Sequence, residues 1–235
     1  MKSFSNTYIF VFSTVMVILV AAILSSAAML LQPLQQKNIE IEQKRNILAS
    51  ITIESTTSDA ESLYDQYITG SFVVDSKGEI REGVDAFAVN MTDEIRKKLD
   101  EEKNLPIFVG LVDGDKKEYV IPVRGAGLWG PIYGYIALND DFTTIFGTNF
   151  GHDGETPGLG SEITTSWFQE RFNGKKIFSE DGVFVSIDIV KGKSDPSSLN
   201  QVDGITGSTL TTNGLEKMLK DCLKPYEAYF KNQMN

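Results

Sequence analysis

Residues 119–150 read YVIPVRGAGLWGPIYGYIALNDDFTTIFGTNF, and this stretch decides the fold. Three runs rich in Val, Ile, Tyr and Phe, at Tyr119–Arg124, Ile132–Leu138 and Thr144–Phe150, are punctuated by glycines. β-Branched and aromatic side chains suit a pleated, half-buried surface, while Gly, Asn and Asp supply the turns. The spacing predicts successive strands. Upstream, Ser71–Asp75 and Glu79–Arg81 flank Ser76-Lys77-Gly78 as a hairpin. Downstream, Glu162–Phe172 predicts a helix, and Val183–Val190 a strand alternating Val183, Val185, Ile187 and Ile189. Near the C-terminal end, Asn213 is placed to cap a helix with Glu216 three residues on. Leu215, Met218, Leu219, Cys222 and Leu223 then form one apolar stripe at helical spacing. The expected class is α+β: a mainly antiparallel twisted sheet with packed helices.

Ahead of this region the chain is of a different kind. Thr7 to Leu31 contains no charged residue, and 25 residues of helix reach about 37 Å, enough to cross a hydrocarbon core of about 30 Å. The apolar run exceeds the roughly 7–15 residues of a signal-peptide core, so an uncleaved anchor is expected. Lys2 lies on one side of it and Lys37, Lys44 and Arg45 on the other, diluted by Glu40 and Glu42, so charge bias alone does not orient it. A helix from Gln35 to Ile53 leads away from the anchor, and a shorter one covers Asp59 to Tyr67. The expected division is residues 1–36 as N-terminus and anchor, 37–70 as a helical stalk and N-terminal part of the soluble domain, and 71–235 as the globular domain proper.

Composition narrows the chemistry. The chain has 22 basic and 32 acidic residues, one His and one Cys. The acidic excess argues against nucleic-acid binding, because a phosphate backbone would be repelled. One Cys and one His leave no disulfide framework, Cys-held cluster or multi-histidine metal site, and no metal site is expected. Cys222 reads as a core residue on the helical stripe, and His152 as a solvated or locally hydrogen-bonded residue of a turn-like stretch.

Three glycine-rich segments remain: Gly125–Gly134, reading GAGLWGPIYG; Gly151–Gly160, reading GHDGETPGLG; and Asp203–Thr212, reading DGITGSTLTT. Glycines let a backbone approach a flat or phosphorylated ligand and leave N–H groups free to face it. Trp129 can stack on a planar ring, and hydroxyls near a helix start can surround a phosphate. Three ordinary turns of a β-rich domain fit the same residues equally well.

Together the three segments resemble the C subunit of the sodium-translocating NADH:quinone oxidoreductase (NQR). GLWGPIYGYIAL and H-x-GETPGLG-x-EI look like that subunit's own sequences, and DGITGSTLTTNG looks like the family's flavinylation motif, D-G-x-[ST]-G-A-T. The G subunit of the RNF electron-transport complex shares the last motif and TPGLG but matches GLWGPIYG less well. An anchored FMN-like binding module without redox turnover is the alternative of another class.

The resemblance implies FMN joined through its phosphate to Thr209 by a flavin transferase. Asp203, Thr206, Gly207 and Ser208 would form the recognition sequence, with Leu210 and Thr211 beside it. Ser208 stands where the family usually has Ala, which makes it a minor alternative acceptor. Glu155, Thr156, Pro157, Gly158, Leu159 and Gly160 are expected to wrap the flavin, with Leu128 and Trp129 nearby. Glu155 is equally suited to hold its loop through backbone N–H groups. The implied role is a redox subunit relaying electrons toward quinone, with no nicotinamide site of its own. Implied partners are the other integral NQR subunits, and the implied location is the inner membrane, with the FMN domain on the periplasmic side.

Overall fold

A computed structural model describes residues 5–98, 102–112, 114 and 116–234. Contacts divide the chain into two units, Met1–Gln43 and Lys44–Asn235. From Asn6 onward the first unit is helical, part of the long helix α1 (Asn6–Ser50), which continues through Pro33. Its apolar part is unburied, and the helix is long and apolar enough to cross a membrane. Helix α1 ends with Thr52 in the left-handed region (φ 62°). Thr52 N–H donates to Ala49 O at 3.0 Å and Ile53 N–H to Leu48 O at 2.9 Å, the paired bonds of a Schellman ending.

In the second unit, α2 (Ala60–Tyr67) leads into β1 (Ile68–Val74) and β2 (Ile80–Arg81). A short α3 (Met91–Arg96) precedes β3 (Leu105–Leu111), β4 (Lys117–Ala126), β5 (Pro131–Leu138) and β6 (Ile145–His152). Among the described residues these strands form one antiparallel sheet in the order β2-β1-β3-β4-β5-β6. The expected class is confirmed. Helix α3 and strand β3 go beyond the sequence expectation; a Pro at position 106 masks β3 as a strand.

Alternation along the strands buries both sheet faces. Phe108, Val120 and Ala137 pack with Ile47, Leu48, Ile51 and Tyr64 on one face. Ile107, Ile121, Val123, Ile132 and Ile136 pack on the other with Leu215, Met218, Leu219 and Leu223. Those last four belong to α5 (Thr209–Leu223), which follows the short α4 (Ser166–Gln169) and precedes α6 (Glu227–Met234).

Three expectations need correction. Glu162–Phe172 is not one helix: 3-10 turns at Gly160–Thr164 and Glu170–Phe172 flank the single turn of α4. Ile163, Phe168 and Phe172 must all reach the core, and their spacing is met by tightening the turns. Val183–Val190 is strand only at β7 (Asp188–Val190), which pairs parallel with β8 (Gln201–Asp203). Ser186 has φ 60°, which breaks the alternation, and Val183 and Val185 are exposed. Asn213 caps nothing: α5 begins four residues earlier, and Glu216 Oε2 accepts from Ile189 N–H at 3.1 Å.

Candidate functional site

All three glycine-rich segments meet at one end of β4, β5 and β6, around the N-terminus of α5. The first is the β4–β5 turn, closed by Gly127 N–H to Gly130 O at 2.8 Å. The second leaves β6 and turns back at Gly158 (φ 74°), with Leu159 and Ser161 N–H groups both donating to Thr156 O. The third joins β8 to α5 through Gly207 (φ 81°), a conformation that L side chains rarely adopt.

Glu155 joins them. It is 4% exposed, and its Oε1 accepts from Trp129 N–H at 2.8 Å while Thr211 Oγ1 donates to Oε2 at 2.6 Å. The carboxylate is wedged between two glycines. A Cβ on Gly127 would lie 2.4 Å from Oε1, and one on Gly160 would lie 2.3 Å from Oε2. Burial pushes the Glu155 carboxyl up, but hydrogen bonds from the Thr211 hydroxyl and the Trp129 and Leu128 N–H groups outweigh it. The group is held below the ordinary carboxylate range, ionised at neutral pH. His152 Nδ1 accepts from Glu155 N–H at 3.2 Å, so the lone His is locally hydrogen-bonded as expected, although it is the last residue of β6 and not part of the turn.

A pocket of about 190 Å³ opens beside this junction. Its floor holds Glu155, Gly160, Ser208 and Thr211, and its rim holds Leu128, Thr156, Leu159, Gly207, Thr209 and Leu210. Leu128, Leu159 and Leu210 are 47%, 41% and 62% exposed, an apolar rim facing solvent. Trp129, 69% exposed, stands outside the pocket, as do Pro157, Gly158, Asp203 and Thr206.

The hydroxyls of the third segment divide sharply. Thr211 is buried and spent on Glu155; Thr212 is buried and its hydroxyl donates to Ser208 O at 3.1 Å. Ser208 is 5% exposed. Thr206 is exposed but away from the pocket, whereas Thr209 is exposed, lines it and opens α5. The first intrahelical bond is Thr212 N–H to Ser208 O, so the earlier N–H groups of α5 are free to face an anion, with no acidic residue in that turn.

Asp203 works at one remove. Ser194 N–H and Oγ donate to its Oδ1 at 2.6 and 2.7 Å, holding its carboxyl below the usual range. Arg171 Nη1 donates to Asp203 O at 2.9 Å while its guanidinium lies 4.6 Å from the Trp167 ring. Nothing local in the sequence marks Arg171 or Ser194 as supports of this segment, since the Arg171 contact spans 32 residues. Gly214 is a further support outside the sequence expectation, although a glycine inside an amphipathic helix signals close packing: a Cβ there would meet Ala126 O at 2.4 Å. Cys222 is a core residue as expected, its thiol pushed up to about 11 by burial.

Residues 127–224 match the family model of the FMN-binding domain. Fold and site thus define the class: an α+β flavin-binding domain behind a long apolar helix. The C subunit of the Na(+)-translocating NADH-quinone reductase from Pseudomonas aeruginosa is 30% identical over 232 residues, covering 88% of each chain. That from Haemophilus ducreyi is 30% identical, covering 89% of this chain and 88% of its own. The chain belongs to this family, the C subunits of Na(+)-translocating NADH-quinone reductases. The crystal structure of the same subunit from Parabacteroides distasonis superposes with TM-score 0.78 at 39% identity, covering 85% of this chain and 96% of that one. NqrC of Shewanella oneidensis shares the fold, with TM-score 0.66 at 23% identity over 82% of this chain and 96% of its own.

Proposed function

We propose that this chain is the flavin-carrying, electron-transferring subunit of a sodium-translocating NADH–quinone reductase, with FMN esterified through its phosphate to Thr209. The observation that carries the reading is the sorting of hydroxyls: of those in the third segment, Thr209 alone is both exposed and on the pocket. The residues fit the group in three further ways. Gly207 and Gly160 keep side chains out of the pocket, the leading N–H groups of α5 suit a phosphate, and Leu128, Leu159 and Leu210 offer an apolar seat for a ring. A pocket of about 190 Å³ is small beside the roughly 300–1,000 Å³ that encloses a free ligand, which favours retention by a bond.

Thr209 would hold the group through its Oγ: a P–O bond would form there as the flavin phosphate's bond to the leaving phosphate of a pyrophosphate donor breaks and the hydroxyl proton passes to that leaving group. A flavin transferase would catalyse this transfer. When bound, the flavin accepts and releases electrons. Gly207 keeps the turn open for the transferase, and Glu155 holds the three loops in register. Within the complex the chain relays electrons toward quinone beside the other integral subunits. Residues 1–36 fix it in the inner membrane, 37–70 form the stalk and the N-terminal part of the soluble domain, and the flavin domain of 71–235 faces the periplasm.

Mass spectrometry of the denatured chain after co-expression with its transferase tests the reading. The expected result is one covalent flavin on the peptide containing Thr209; its absence sinks the proposal. Thr209→Val is expected to fold and to be colourless after denaturation, and yellow colour retained on that variant would overturn the assignment.

A further inference from the structure

Ser208 immediately precedes α5, where a serine ordinarily caps the helix by accepting from an N–H two or three residues on. Here φ −119° and ψ 35° lie outside the extended conformation that caps use, and no side-chain cap bond forms. The backbone of Ser208 is fully engaged: its N–H donates to Ile205 O at 3.1 Å, and its carbonyl accepts from Thr212 N–H at 3.0 Å. The side chain alone is left over. Ser208 is 5% exposed, lines the pocket, and its Oγ is buried without a hydrogen-bond partner.

A buried hydroxyl without a partner destabilises the fold that holds it, so its position calls for a ligand. The surroundings specify the kind. Helix α5 brings unsatisfied N–H donors and no acidic side chain in its first turn, so the missing group is an acceptor bearing negative charge. Two independent features, the helix terminus and the orphaned hydroxyl, therefore meet beside Thr209.

We propose that the Ser208 hydroxyl is a ligand of the flavin phosphate, donating a hydrogen bond to a non-bridging oxygen of the phosphoester on Thr209. It is a positioning residue, orienting the phosphate on the N-terminus of α5, and it is not the attachment point. The inference rests on the covalent reading above.

The test compares the full chain in detergent, expressed with and without the transferase, as wild type and as Ser208→Ala. Without flavin, the variant removes an unsatisfied group, and its Tm is expected to rise by about 2–4 °C. With flavin, the gain disappears or reverses, and the phosphorus NMR resonance of the phosphoester moves. Equal Tm changes in the two forms with an unmoved resonance would make Ser208 merely structural and overturn the proposal. Loss of covalent flavin from Ser208→Ala alone would overturn it as well, by making Ser208 the acceptor. Absence of covalent flavin from the wild type sinks the attachment at Thr209 and this proposal together, so the two failures are told apart.

Discussion

A carboxylate taken out of water is costly unless its oxygens are hydrogen-bonded, and Glu155 meets that condition with groups from two other segments. Glu155→Ala leaves Trp129 N–H and the Thr211 hydroxyl unpaired and is expected to destabilise the domain by about 1–3 kcal/mol, read from urea unfolding midpoints. Glu155→Gln keeps the volume and one acceptor, so its effect should be smaller. The pH dependence has a definite sign. The folded carboxyl sits below its unfolded value of about 4.3, so its stabilisation is complete above that value and is lost as pH falls through the folded one. The stability gap between wild type and Glu155→Gln should narrow from about pH 7 to about pH 3. A gap that widened on acidification would contradict the ionised strut. Sequence motifs place Glu155 near the ligand, but its pairing with Thr211 crosses 56 residues and is a tertiary fact.

Helix α5 owes its position to two backbone contacts. Gly214 lies against Ala126 O, and Gly125 lies beneath Met218, where a Cβ would come within 2.7 Å of the Met218 side chain. Gly214→Ala brings two effects into competition. Helix propensity favours alanine by about 1 kcal/mol, but a Cβ 2.4 Å from a carbonyl oxygen forces the helix outward, and overpacking of this kind costs about 1–3 kcal/mol. The clash is expected to win, with a lower unfolding midpoint and slower flavin attachment at Thr209. An unchanged attachment rate would show that helix placement does not govern the site. The same element shows how far local pattern reaches. Leu215, Met218, Leu219, Cys222 and Leu223 announce the buried face through spacing alone, and all five are buried. The helix start is harder to read, because Asn213 and Glu216 mimic a capping pair while the true start at Thr209 carries no side-chain cap. Likewise the β-rich run at Val183–Val190 loses most of its strand to Ser186, whose positive φ no composition reveals.

At the scale of the molecule, the last residues of α1 belong to the globular unit. Ile47 and Leu48, near the end of α1, and Ile51, just beyond it, are fully buried in the core of the second unit. A chain beginning at residue 37 keeps them and is expected to fold as a water-soluble domain. A chain beginning at residue 53 loses all three, each contributing roughly 1.5–3 kcal/mol of burial, and is expected to unfold or aggregate. Cooperative thermal unfolding of both chains decides the matter; a stable domain starting at residue 53 would refute the dependence. The sequence by itself determined the apolar span, the antiparallel meander of β4 to β6, the α5 stripe and the three glycine-rich segments. Each of these is written in local periodicity or in residues whose backbone freedom is intrinsic. Only the tertiary structure decided that the three segments share one carboxylate, that Thr209 among its neighbours reaches both solvent and pocket, and that Ser208 is left without a partner. Burial and long-range pairing depend on how the sheet brings distant segments together, and no window of sequence contains that information.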